Sequence, residues 1–206
     1  MLQQWIPKIP LYVTALLNFE DVGLNRFCAN CQADVLDLFR CRTCLGSANH
    51  CKMCIVDIHS SQPFHQIVSW SHAHGCFLPT SLTQLGFVLD IGRGYHVSDC
   101  PSSVMLAGIT VVHSHGIHDL SIKYSTCCHS PSLDLQLLAF RLFPATVTSP
   151  QTVFSFDLLE LFHFHHLEGK GSAYAFMNAI SRLTNDTGHF KVEVSGFFFF
   201  WLRYRL

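Results

Sequence analysis

A chain of 206 residues that is 49% apolar and carries 18 Phe has material for one ordinary domain or two small ones, and it is not a disordered polypeptide. Only 13% of residues are charged and the formal net charge is -1, so no dense Lys/Arg run supports a broad nucleic-acid-binding face. No apolar run reaches the length of a membrane span, and Phe197 to Leu202 (FFFFWL) is far too short.

Residues 1–27 predict a short helix after Pro10, with Leu11, Leu16, Leu17 and Phe19 available for packing and Gly23 as its stop. Its expected role is a helical cover for the segment that follows. The stretch LYVTALL resembles a signal-peptide core, but Pro7 and Pro10 interrupt it and no small-x-small cleavage site follows, so an intracellular chain is expected.

Residues 28–70 hold the densest chemistry. Three Cys-x2-Cys pairs (Cys28/Cys31, Cys41/Cys44, Cys51/Cys54) are followed by His59 and His65, which makes eight soft ligands in 38 residues. A Cys-x2-Cys turn lets two sulfurs reach one metal, and four such half-sites suit two tetrahedral zinc ions. Disulfides are the blander reading, but a terminal histidine pair has no role in a disulfide scaffold. Zinc fingers that interleave their half-sites pair first with third and second with fourth. That pairing assigns Cys28, Cys31, Cys51 and Cys54 to one ion, and Cys41, Cys44, His59 and His65 to the other. The spacings between successive ligands resemble those of cross-braced ZZ and B-box fingers. A module of this size is too small for a hydrophobic core, so metal would supply its folding energy, on the order of 10 kcal/mol per ion.

From Trp70 the pattern changes. Leu82, Leu85, Phe87, Leu89 and Ile91 alternate with small or polar residues, and GITVVHSHGIHDLSIKY predicts a hairpin: strand Ile109 to Val112, turn Ser114 to Gly116, then Leu120, Ile122 and Tyr124 alternating. Asp157 with Glu160 predicts a capped helix through about His166, broken by Gly169 and Gly171. Ala173, Phe176, Met177, Ile180 and Leu183 form one face of another. The fold class is therefore α+β: a zinc-stabilised cross-brace module, a β-rich middle and two C-terminal helices.

The order of landmarks LQQWIPKIPLYVTALLNFED, FCANC, FRCRTC, HCKMC, PFHQIVSW, PTSLTQLGFVLDIG, DCP, GIHDLSI, QLLAFRLFPATVTSPQTVFSFDLLELF and GKGSAYAFMNAISRLTND resembles the CxC-like cysteine cluster domain joined to KDZ (Kyakuja-Dileera-Zisupton) transposases, mobile elements abundant in fungi. The resemblance runs from Leu2 to about Gly188, which makes 71–188 part of one transposase-associated unit. It implies a non-catalytic accessory region of a transposase, nuclear, contacting DNA or the transposase catalytic domain, with no small-molecule substrate. The carboxylate set of a two-metal nuclease is not expected within this sequence.

Two departures from the family pattern bear on a third metal site. Where the family has a histidine after LG, this chain reads Asp90-Ile91-Gly92-Arg93, and Ser125 stands first in the family's Cys-x-Cys. The remaining candidates for a degenerate third site are His96, Cys100, His118, Cys127 and Cys128, against the bland reading of lone core or turn residues. His113-Ser114-His115-Gly116-Ile117-His118 superficially resembles a metallo-hydrolase site, but Ile117 stands where the Asp is needed, and turn histidines are the favoured reading. Residues 189–206 form an atypical tail that fits neither the family nor an amphipathic element, and Glu193 to Gly196 followed by four Phe matches a translated splice donor and intron.

The weak DNA-contact candidates are Arg40, Arg42, Lys52 and Arg93. The competing expectation is a ZZ- or B-box-like module for protein or peptide recognition, with Asp34, Asp37 and Asp57 drawing a cationic terminus. A third is a decayed transposon fragment.

Overall fold

The structure is a computed structural model and describes residues 2–23, 26–46, 48–93 and 102–184. The chain divides into two units, Met1–Leu85 and Gly86–Leu206. His96, Cys100 and the tail from 189 lie outside the described residues.

The first unit opens with a helical stretch: α1 (Leu2–Trp5), a 3-10 turn (Ile6–Lys8) and α2 (Ile9–Glu20). Pro7 and Pro10 both fall within the first two positions of the helical segments that hold them, where a missing N–H costs nothing. The helix predicted after Pro10 therefore starts one residue before it. None of the residues of α2 is buried, and Leu11, Leu16, Leu17 and Phe19 are each more than half exposed.

Three short strands follow, β1 (Phe39–Cys41), β2 (Ile67–Ser71) and β3 (Cys76–Thr80), in the antiparallel order β1-β2-β3. Between β1 and β2 runs α3 (Lys52–Ile58). One apolar cluster here gathers Val22, Leu38, Val68 and Phe77, with Val35 and Trp70 against it, and Phe39, Ile55, Ile67 and Leu82 are buried as well.

The second unit is built on a five-stranded sheet of order β4-β6-β5-β8-β7. Its strands are β4 (Leu89–Asp90), β5 (Ser103–His113), β6 (Gly116–Ser125), β7 (Leu142–Pro144) and β8 (Thr152–Ser155). The predicted hairpin is present as β5 and β6, paired from His113/Gly116 to Ser103/Ser125 and longer than its β-branched run alone suggested. A register shift between Leu106 and Ile109 coincides with Gly108 at φ +73, a bulge that only glycine adopts cheaply. β5 and β8 run parallel, as do β4 and β6, so the sheet is mixed. The alternating stretch from Leu82 is mostly turn, and only Leu89 and Asp90 pair as strand.

Helices α4 (Leu133–Ala139), α5 (Phe156–Gly169) and α6 (Ala173–Thr184) complete this unit. α5 is capped by Ser155, whose Oγ accepts from the Leu158 N–H at 3.2 Å, and not by Asp157 as expected. It runs through Gly169 and closes at Lys170, which takes the left-handed conformation at φ 48. Phe176, Met177 and Ile180 of α6 are buried with Leu158, Leu159 and Phe162 of α5 against Val112, Ile117 and Phe154 of the sheet. Leu183, placed on the same face by its spacing, is 54% exposed. The molecule is thus mixed α+β.

Candidate metal centres

All eight ligand candidates of residues 28–65 converge into two groups, Cys28/Cys31/Cys51/Cys54 and Cys41/Cys44/His59/His65, in each of which the ligand atoms lie within 4.8 Å of one another. The first half-site meets the third, and the second meets the fourth.

Local structure explains the first group. The backbone turns sharply after Cys28: Gln32 N–H donates to the Cys28 carbonyl at 2.9 Å, Cys28 N–H donates to Ala33 O at 2.9 Å, and Gln32 takes φ 60. Ala29 N–H donates to Asn49 O at 2.8 Å, which draws this turn toward the start of α3. Cys51 is the N-cap of α3 and Cys54 lies in its first turn, so one helix start presents both sulfurs. Cys31 Sγ stands 3.9 Å from Cys51 Sγ, far beyond a disulfide bond, and Asn30 Nδ2 donates to Cys54 Sγ at 3.3 Å. Burial pushes the Cys28 thiol up, but the backbone N–H groups of Cys31, Cys51 and Asn30 outweigh it and bring the thiol down to about 5. Cys54 goes the other way. Its Asn30 contact lowers it, yet hydrogen bonding to Cys51, Cys28 and Cys31, with burial, pushes it up to about 12. Four thiols this close cannot all ionise unaided, and a divalent cation removes that conflict.

In the second group, Cys41 closes β1 and Cys44 sits in the turn after it, its N–H donating to Cys41 Sγ at 3.3 Å. Cys44 Sγ lies 3.4 Å from His59 Nε2 and 3.3 Å from His65 Nδ1, and Cys41 Sγ lies 3.6 Å from the same His65 nitrogen. His59 is buried, and its Nδ1 donates to the Ile55 carbonyl at 2.9 Å. That bond fixes the tautomer that leaves Nε2 with a lone pair facing the sulfurs. Burial, with the neighbouring Cys41, raises the Cys44 thiol. Each group could hold one metal ion.

Sequence reasoning missed the supporting contacts. Asn30 and the Ile55 carbonyl were invisible to a search for ligand residue types. Phe39 pairs with His50 through N–H···O bonds of 2.9 and 2.8 Å, which ties β1 to the residue before Cys51 and joins the two groups through the backbone.

Arg40, expected as a DNA contact, is instead committed inside the first unit. Its side chain is buried, donates from Nε and Nη2 to Asn49 Oδ1 at 3.1 and 2.9 Å and to the Phe19 carbonyl, and lies 4.2 Å over the Phe77 ring. A guanidinium so placed spends three of its five donors within the first unit. Arg42, Lys52 and Arg93 are exposed.

The described members of the third candidate site do not come together. His118 lies near the hairpin turn and Cys127 beyond the far end of β6; the seven steps of strand from His118 to Ser125, at about 3.3 Å each, separate them, too far for one ion. Cys127 is buried beside Ser102, whose Oγ lies 3.6 Å from its sulfur, while exposed Cys128 pairs with His129 Nδ1 at 3.1 Å. Ser125 has its hydroxyl 2.6 Å from Ser130 Oγ and its backbone clasped by Gln136. His113 Nδ1 lies 2.7 Å from the Ser155 hydroxyl, and the His113 and His115 rings pack edge to face at the hairpin turn.

No curated protein and no solved structure matches the chain. A family model, the CxC2 like cysteine cluster associated with KDZ transposases, matches residues 82–188, just over half the chain and all of the described second unit. The two ligand groups lie ahead of that span. On this match the chain belongs to the CxC2-like cysteine cluster family associated with KDZ transposases.

Proposed function

We propose that the chain is a non-catalytic accessory region of a KDZ-type transposase, nuclear in location, whose first unit is a cross-braced double zinc module that contacts the transposition machinery. The observation that carries this reading is the second ligand group. Around a tetrahedral zinc with bonds of about 2.3 Å to sulfur and about 2.0–2.1 Å to nitrogen, neighbouring ligand atoms stand roughly 3.6–3.8 Å apart. The separations of 3.3, 3.4 and 3.6 Å among Cys41, Cys44, His59 and His65 are close to that. A thiolate and imidazole donor set suits zinc over the hard cations. Four protein ligands close each site, so zinc bound there holds the fold and presents no open position to a substrate.

Between DNA and a protein surface as the contact, the first unit favours protein. With Arg40 buried, Arg42 and Lys52 are what remains of its expected phosphate contacts, against exposed Asp34, Asp37 and Asp57. Among the described residues no helix is long and apolar enough to cross a membrane.

Native mass spectrometry before and after chelation tests the metal reading: two zinc ions per chain are expected, and none overturns it. Anisotropy of labelled duplex DNA at two salt concentrations tests the contact. A protein-facing module leaves the signal flat at both, whereas a steep salt-dependent affinity returns the assignment to DNA.

A further inference from the structure

The first twenty residues pose a problem that the metal module does not solve. Trp5, Ile9, Tyr12, Leu16 and Phe19 recur at spacings of four, three, four and three, the a/d rhythm of a coiled-coil seam. The rhythm survives the 3-10 turn, because the Trp5 and Tyr12 rings lie 6.0 Å apart on one side of the helix. Yet these five side chains are 57, 53, 44, 64 and 61% exposed. At roughly 200 Å² for a large side chain, the seam leaves on the order of 600 Å² of apolar surface in water, at the upper end of the largest patch on an ordinary monomer. Ile6 and Val13, which flank it, are 62 and 49% exposed. They bring the total to about 800 Å², the area each partner contributes to a standard interface.

Charge narrows the occupant. Residues 2–20 contain one cation, Lys8, and one anion, Glu20. A helix lying on an anionic lipid surface carries a basic polar face, which this one lacks, and a nucleic acid would find a single cation to bind. A second copy of the same helix meets no like-charge repulsion along the seam and offers the matching 4-3 rhythm, so the surface is complementary to itself.

We propose that the helical stretch 2–20 is a homodimerisation element, pairing with the same stretch of a second chain through Trp5, Ile9, Tyr12, Leu16 and Phe19. The cover expected over the metal module is then supplied to the helix by its own twin.

Sedimentation velocity and native mass spectrometry of the full-length chain test this, the latter reading copy number and metal content together. The wild type is expected to be a dimer. The double variant Ile9→Glu/Leu16→Glu should be monomeric, while Leu11→Glu, off the seam, stays dimeric. The milder Leu16→Ala should weaken the dimer about tenfold or more, the loss of a buried leucine expressed as Kd. Because these side chains are solvent-exposed within one chain, both Glu variants should keep the wild-type metal content and helical circular dichroism. A wild-type monomer across the concentration series overturns the proposal. So does a double variant that dimerises like the wild type, or a monomer that partitions onto anionic phospholipid vesicles.

Discussion

Cys44 and His65 stand 21 residues apart in sequence, and the structure brings the sulfur of one to 3.3 Å from Nδ1 of the other. Between them the chain makes α3 and supplies His59 to the same group, so this contact closes the loop that carries half of the other group as well. Cys44→Ser or His65→Ala is therefore expected to lower the zinc count from two to one and to loosen both sites. Metal binding contributes on the order of 10 kcal/mol per structural ion, comparable to the whole stability of an ordinary small domain, so most of the unit's stability should go with it. Mass spectrometry for the ion count and hydrogen exchange over residues 26–80 check this; a variant that keeps two ions and full protection contradicts it.

The proton inventory of the four-cysteine group follows from its opposed shifts. Cys28 sits at about 5 and Cys54 at about 12, so at neutral pH the metal-free group holds a thiolate at Cys28 and a proton at Cys54. Zinc must expel that proton. Calorimetry in buffers of different ionisation enthalpy should therefore show proton release from this group at neutral pH, growing as pH falls through about 5, where Cys28 is protonated too. The linkage signs are opposite. The depressed Cys28 contributes stability to the metal-free fold above the ordinary thiol range, and loses it as pH falls through about 5. The raised Cys54 contributes below its ordinary value and loses it only as pH rises through about 12.

Arg40 separates a structural cation from a nucleic-acid contact. Burial lowers its pKa and the charge of Glu20 raises it, and its fork is occupied by Asn49 and Phe19. Arg40→Ala should cost the first unit about 2–4 kcal/mol, since it removes charge-assisted hydrogen bonds to Asn49 and Phe19 and the packing on Phe77. Arg40→Lys should recover little, because an ammonium cannot span the same partners. Urea titrations of the three proteins read this directly. Equal stability of the wild type and Arg40→Ala, with weaker binding to duplex DNA, would restore Arg40 to the surface role.

What could be read in the sequence depended on how local the signal was. The cysteine pairs are signalled by their own spacing, and the β5/β6 hairpin by alternation across a short turn. Arg40 misled because residue type reports charge, whereas burial is decided by Phe77 and Phe19, which are distant in sequence. The cap of α5 is Ser155 and not Asp157 because one residue both closes β8 and starts the helix, and the spacing of Asp157 and Glu160 carries no sign of that strand. The short strands β7 and β8 leave no sequence signal, since three or four residues carry no period. His118 and Cys127 looked compatible as ligands until the intervening chain proved to be extended strand.

Gly92 provides the last test, and it probes the second unit alone. The residue follows β4 and lies against the end of β6: a Cβ built there would stand 2.6 Å from Ser125 N and 3.0 Å from Tyr124 C. Both are backbone atoms in a paired strand, so neither can swing aside. Ser125 is further fixed because its N–H donates to Gln136 Oε1 at 3.0 Å, while Gln136 Nε2 donates to the Ser125 carbonyl and to Pro131 O, both at 2.8 Å. Gly92→Ala should therefore break the β4/β6 pairing or the Gln136 clasp, at a cost of about 1–3 kcal/mol from overpacking, and more if the clasp opens and leaves buried groups unpaired. Gln136→Leu, of similar volume, should cost a comparable amount by the second route alone. If the clasp is what yields, the double variant will cost less than the sum of the two. Thermal denaturation of the four proteins completes the cycle. Strict additivity would locate the Gly92 strain in the β4 edge instead.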